Sequence, residues 1–207
     1  MVREKEMMTR GYSDAINHAF AFAAKHHDRQ VRKGTRAPYL TQPANVAVIL
    51  ARYDREESEV VAGILHDVVQ DWVREGYTRD MLDQRIGEKF GAEELAMVLT
   101  ITQRKVDDDG IEMSLEERRE DILGRLDDAT ESALWVFAAD KVHTANSLLS
   151  DLRRTVDRNV VWSRTSGGRS ATVKWYRDIC DRLSGAGFNA SIMDELRGAV
   201  DALEGLD

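Results

Sequence analysis

The stretch SALWVFAADKVHTANSLLSDL, residues 132–152, decides the fold class. Leu134, Trp135, Phe137, Ala138, Val142, Ala145, Leu148, Leu149 and Leu152 recur three and four apart, the period of a helix with a broad apolar face. The same period extends outward in both directions. Ala15, Ala19, Phe20, Phe22 and Ala23 predict a first helix from Asp14. Pro43, tolerated in a first helical turn, opens a second over residues 44–53. Val60, Val61, Ile64, Leu65, Val68 and Val69 mark a third, with Ser58 or Asp54 as its cap. Met81, Leu82, Ile86 and Phe90 form one face of a fourth, stopped by Gly91, and residues 92–102 make another stripe.

Breaks in the period are equally readable. RQVRKGTRAPYLTQP, residues 29–43, holds Gly34 and both prolines of the chain and reads as a loop. KVDDDGIEMS, residues 105–114, is an exposed loop whose Ser114 pairs with Glu117 as a capping box for the next helix. TSGGRSA, residues 165–171, reads as a polar glycine loop, and helices over 172–183 and 192–203 close the chain. No alternating strand run, internal repeat or low-complexity linker interrupts this pattern. The expectation is an all-α single domain.

Composition narrows the function. The 207 residues are 43% apolar and 32% charged, an ordinary globular balance. With 29 Lys+Arg against 37 Asp+Glu, the net charge of −8 disfavours a nucleic-acid polymer as partner. A local basic pocket is still allowed. The single Cys180 has no partner for an internal disulfide, which fits a reducing compartment. The opening MVREKEMMTRGYSD lacks the apolar core of a secretory signal, and no apolar run approaches the length that spans a bilayer. The expectation is a soluble, cytoplasmic protein with no membrane partner. Pairing of helical faces into a homo-oligomer stays open.

Chemistry concentrates in two places. His66 and Asp67 sit at the end of an apolar helix in ILHDVVQD, and Asp140 lies in the middle of the most apolar helix of the chain. A buried ionised carboxylate costs several kcal/mol unless it is paired or bound to metal, so Asp140 requires a partner. That partner is either a base, Lys141 or Arg32, or a divalent ion shared with His66 and Asp67. These ligand types suit Mn²⁺, Mg²⁺ or Fe²⁺. Adjacent helical residues point about 100° apart, so both can reach one ion only from a helix end or a shallow groove. The second concentration is Arg29, Arg32, Lys33 and Arg36, either a solvated loop or a phosphate clamp in which guanidinium forks match phosphate oxygens.

Four motifs in order carry a family resemblance: RQVRKG…PYLTQP, VVAGILHDVVQD, AADKVHTANSLLSDLR and GGRSATVKWYR. Over residues 15–183 the chain resembles the HD-domain phosphohydrolases, and within them the alarmone-hydrolase branch of RelA/SpoT-type enzymes. The resemblance implies an all-α HD-type helical bundle over residues 13–185, preceded by a tail over 1–12 and followed by a C-terminal helix over 186–207 packed on it. It implies one divalent ion, Mn²⁺ ahead of Mg²⁺ or Fe²⁺, and removal of the 3′ pyrophosphate from guanosine tetra- or pentaphosphate.

Carried over by position, His66, Asp67 and Asp140 match metal ligands. Asp71 matches an acid that activates or positions water, and Arg32 and Lys33 match the basic loop near the substrate, which Arg36 extends. His143, Tyr176 and Arg177 match further motif positions, and His27 matches a structural histidine. His26 and His27 stay outside the ligand set.

Several positions depart from the family pattern. Gln42 stands where the family has its first histidine ligand, and its neutral amide oxygen is a weaker donor. Gln70 replaces a glutamate, and an amide takes no proton at neutral pH. Thr144 replaces an asparagine, keeping hydrogen-bonding ability with shorter reach towards the substrate, and Arg29 replaces a glycine. Two functions follow: a metal-dependent phosphohydrolase of a small phosphorylated nucleotide, or a catalytically impaired pseudo-hydrolase that binds a nucleotide or a protein.

Overall fold

A computed structural model describes residues 12–32, 35–69, 78–107 and 109–206. These residues form ten helices: α1 (Asp14–His26), α2 (Thr41–Arg52), α3 (Glu57–Leu65), α4 (Arg79–Phe90), α5 (Ala92–Ile101), α6 (Leu115–Leu126), α7 (Glu131–Arg154), α8 (Arg158–Trp162), α9 (Gly168–Gly185) and α10 (Ile192–Glu204). The only extended pairings among the described residues are two isolated antiparallel bridges, Val31 with Pro38 and Val106 with Glu112. The all-α expectation holds. No helix among the described residues is long and apolar enough to cross a membrane.

The 24-residue α7 is the axis of the bundle, packed against α2, α3, α5, α9 and α10. Its buried run of Leu134, Trp135, Val136, Phe137, Ala138 and Ala139 covers more than one face, as a helix surrounded by others requires. Caps set the ends of several helices. Ser13, Thr78, Ser114 and Thr130 each accept a backbone N–H three residues on, and Ser114 with Glu117 forms the expected box. Gly91 ends α4 at φ 116°, a value open to glycine and strained for other residues.

Five local readings need correction, the first being that α3 ends at Leu65, short of Val68 and Val69. Neither Ser58 nor Asp54 caps α3; Glu56 stands at the N-cap, and its backbone N–H donates to the Glu59 carboxylate at 3.0 Å. α2 starts at Thr41, placing Pro43 inside the first turn rather than at its opening. α9 starts at Gly168, so half of the supposed glycine loop is helix; Gly167 and Gly168, both at positive φ, turn the chain directly into it. Met81 is exposed, and α4 buries only Leu82 and Ile86.

α2 and α3 touch closely because Gly63 faces Leu50. A Cβ on Gly63 would lie 2.6 Å from Leu50 Cδ1 and 3.2 Å from Val46 Cγ1, and both neighbours are fully buried. Gly63→Val is therefore expected to lower unfolding free energy by about 2–3 kcal/mol, measured by urea denaturation.

Glu59 is 1% exposed and bonded through both oxygens to Arg55, whose guanidinium also stacks 4.5 Å over Trp135. Burial pushes its carboxyl upward, but bonds from Arg55, Ser132 and the Glu56 backbone outweigh it and hold the group below its ordinary value. A depressed folded value adds stability above the unfolded carboxyl range, and that stability is lost as pH falls through the folded value. Arg55→Ala leaves the carboxylate buried with its main partner gone. It should cost about 3 kcal/mol at pH 7 and flatten the acid limb of the stability–pH curve.

Candidate metal and phosphate site

Three mutually packed helices converge on one point: the first turn of α2, the C-terminal end of α3 and the middle of α7. α3 ends at Leu65, so His66 and Asp67 leave from a helix terminus, as two adjacent side chains must if both are to face one centre. His66 is 5% exposed, Asp67 4% and Asp140 6%. Thr102, at the end of α5, donates its hydroxyl to the Val98 carbonyl at 2.6 Å, with the His66 carbonyl 3.3 Å away.

The His66 ring is oriented by its Nδ1–H, which donates to the Gly63 carbonyl at 2.7 Å. Its Nε2 lies 3.2 Å from Asp67 Oδ2 and 3.5 Å from Asp140 Oδ1, is buried, and makes a directed hydrogen bond to neither. Tyr39 donates its hydroxyl to Asp67 Oδ2 at 2.9 Å. The Asp140 oxygens are both engaged: Oδ2 with Lys141 Nζ at 2.7 Å, Oδ1 with the Gln42 amide nitrogen at 3.1 Å. Burial would raise both carboxyls and depress His66 and Lys141, but the attraction among these four groups wins in every case. Asp67 and Asp140 are held below the carboxylate range, Asp140 far below it, while His66 and Lys141 are held above their ordinary values.

The donor types suit a divalent ion. A buried ring nitrogen aimed between two acceptor-only carboxylates is compatible with a proton or a cation between them. Among the described residues, however, no group of three such side chains stands open as a ready-made cage. The cluster has closed on itself, and any cation must compete with Lys141 and the Gln42 amide for Asp140. Gln42 as placed is a donor to Asp140; a half-turn of its amide would present the oxygen instead.

The remaining positions divide. Asp140, His143, Thr144 and Ser147 share one face of α7, spaced three, four and seven apart. Arg32 reaches this face and donates to Ser147 Oγ at 2.9 Å, which brings the basic loop to the helix that carries Asp140. Thr144 turns its hydroxyl to the Asp140 carbonyl and accepts from buried Tyr176, tying α7 to α9. Its hydroxyl therefore supports the helix. Arg36 is exposed, at φ 57° in the tip of the loop, and Arg29 is exposed as well. Arg177 pairs with Asp201 and Glu204 on α10. Lys33, Gln70 and Asp71 lie outside the described residues.

Two members of this neighbourhood, Tyr39 and Ser147, carry little signal of their own in the sequence. Tyr39 is one residue of a motif in the sequence, yet it bonds Asp67 and its ring lies tilted 4.8 Å from that of buried His27, whose Nδ1 meets Gln30. Lys141, one of the expected alternative partners of Asp140, does pair with it. Ser147 carried no signal except its place seven residues after Asp140. His143 is held low by burial and by Arg32, so it stands neutral beside the cluster.

A family model described as an HD domain matches residues 19–161, more than half of the chain. The chain belongs to the HD-domain family. This HD-domain chain is 28% identical over 138 residues to a GTP pyrophosphokinase of Myxococcus xanthus, and 27% identical over 137 residues to the guanosine-3′,5′-bis(diphosphate) 3′-pyrophosphohydrolase of Aquifex aeolicus. Those matches take in 65% and 63% of this chain but 17% and 19% of the relatives, so it spans under a fifth of their length. A solved structure described as a metazoan ortholog of SpoT that hydrolyzes ppGpp superimposes with a TM-score of 0.71, covering 95% of this chain and 98% of that one at 23% identity. Another, lmo0812 from Listeria monocytogenes EGD-e, gives 0.64 with 26% identity over 77% of this chain and 96% of that one. The HD-type helical fold and the kinship with RelA/SpoT-type proteins, both read from the motifs, are shown.

Proposed function

We propose that this HD domain is a divalent-metal-dependent phosphohydrolase acting on a small phosphorylated nucleotide, with guanosine 3′,5′-bis(diphosphate) as the first substrate to test. The observation that carries the reading is the buried Nε2 of His66, aimed between Asp67 and Asp140 without a hydrogen bond. His66, Asp67 and Asp140 hold the ion, Mn²⁺ in the first instance, and Gln42 joins them once its amide turns. The ion supplies Lewis acidity that polarises a phosphoryl group and makes water nucleophilic near neutral pH. Tyr39 fixes the Asp67 carboxylate, Asp71 and Gln70 orient water, and Arg32, Lys33 and Arg36 neutralise phosphate charge. Thr144 acts through the backbone of Asp140. The Aquifex relative carries the name of this reaction, which supports the choice of substrate.

The products would be pyrophosphate and guanosine 5′-diphosphate. Incubation of the full chain with guanosine tetraphosphate and Mn²⁺, followed by anion-exchange chromatography, should show the two rising together and neither forming in chelator. Absence of both with Mn²⁺ present contradicts the reading.

A second reading draws on a specific observation: Gln42 and Lys141 already satisfy both oxygens of Asp140. A pseudo-hydrolase built this way binds nucleotide through the basic loop without metal. It predicts nucleotide affinity unchanged by chelator, together with no turnover.

A further inference from the structure

A cleft of about 270 Å³ lies between α1 and α4, sharing no residue with the His66 cluster. Among the described residues seven line it, and five of these are basic: His18, Lys25, His26, Arg85 and Lys89. None is acidic. The chain as a whole has 29 Lys+Arg and 5 His in 207 residues and a charge of −8, so this concentration runs against its composition.

Three of the lining side chains are rings, His18, Phe22 and His26. Phe22 lies edge-on to Phe90 at 5.5 Å and 4.3 Å from the His26 ring, and His18 meets Phe90 at 4.9 Å. The His26 ring is fixed by a bond between Nδ1 and the Phe22 carbonyl at 2.8 Å. Lys25, His26 and Arg85 each hold an interaction of their own as well, so these side chains are positioned. Rings and cations lining one cleft are the two features that receive a planar ring system and a phosphate group together.

We propose that the α1–α4 cleft is a second ligand site, taking a nucleotide whose phosphates meet Lys25, Arg85 and Lys89 and whose base lies against the His18, Phe22 and His26 rings. The site does not depend on the metal centre. It does border that centre's support, because His27, next to His26 in the last turn of α1, has its ring 4.8 Å from that of Tyr39.

The test is a calorimetric titration of the full chain, in chelator, with ADP and separately with inorganic pyrophosphate. ADP should bind the wild type and the Arg32→Ala variant alike, since Arg32 belongs to the other site. The Arg85→Gln/Lys89→Gln double variant should bind it roughly tenfold or more weakly, while its thermal midpoint and its Mn²⁺ binding stay at wild-type values. Pyrophosphate should bind more weakly than ADP, because it has no ring. ADP affinity unchanged in the double variant, or lost in Arg32→Ala, overturns the proposal, as does no binding at all. Equal affinity for pyrophosphate and ADP overturns the assignment to a nucleotide. Failure of Mn²⁺ binding touches only the function proposed above.

Discussion

Asp140→Asn is expected to abolish stoichiometric Mn²⁺ binding and to lower turnover by roughly a thousandfold, the rate equivalent of several kcal/mol of lost charge stabilisation. The substitution keeps the shape of the side chain and removes one anionic donor from a buried group of four coupled charges. It also leaves the Lys141 ammonium beside a neutral amide. Because the Lys141 side chain is partly exposed, at 21%, a stability loss on the order of 2 kcal/mol should accompany it, well short of the full penalty for an unpaired buried ion. A cooperative melt in the variant separates loss of the site from loss of the fold. Mn²⁺ binding retained at wild-type stoichiometry would remove Asp140 from the ligand set.

Gln42→His should act in the opposite direction. It replaces a neutral amide with an imidazole, a stronger donor to Mn²⁺, and takes away the amide N–H that now holds Asp140 Oδ1. Position favours the exchange. Residue 42 is half-buried in the first turn of α2, with Pro43 fixing the backbone beside it, and α2 packs on both α3 and α7. Mn²⁺ affinity should rise by roughly ten- to hundredfold, read from the calorimetric dissociation constant. Turnover should rise with it wherever the ion is subsaturating. An unchanged constant would show that residue 42 does not face the ion.

The fold was legible because its elements announce themselves locally. The apolar period of residues 132–152 and the box of Ser114 with Glu117 need no tertiary information. What escaped was the chemistry of exact ends. Ser58 has the side chain of a good cap, yet α3 begins one residue before it, at Glu57, where the Glu59 carboxylate reaches back to the Glu56 N–H. A pair of glycines announces a turn without telling how soon the following helix begins.

The candidate site was partly legible for a different reason. A carboxylate in the middle of an apolar helix demands a partner, and His66 with Asp67 at another helix end is the partner the motifs point to. Which oxygen is held by Lys141, and that Gln42 offers its nitrogen rather than its oxygen, depends on distances that spacing does not encode. Thr144 shows the limit most clearly. The resemblance implies a place near the substrate for it, and spacing does not reveal that its hydroxyl also meets the Asp140 carbonyl and Tyr176.

The most direct test of the central claim is a calorimetric titration of chelator-treated protein with Mn²⁺, run beside His66→Ala with both thermal midpoints recorded. One ion bound per chain, lost in a His66→Ala protein that still melts cooperatively, is the predicted result. No binding in the wild type, or equal binding in the two proteins, would contradict a metal centre built on His66, Asp67 and Asp140.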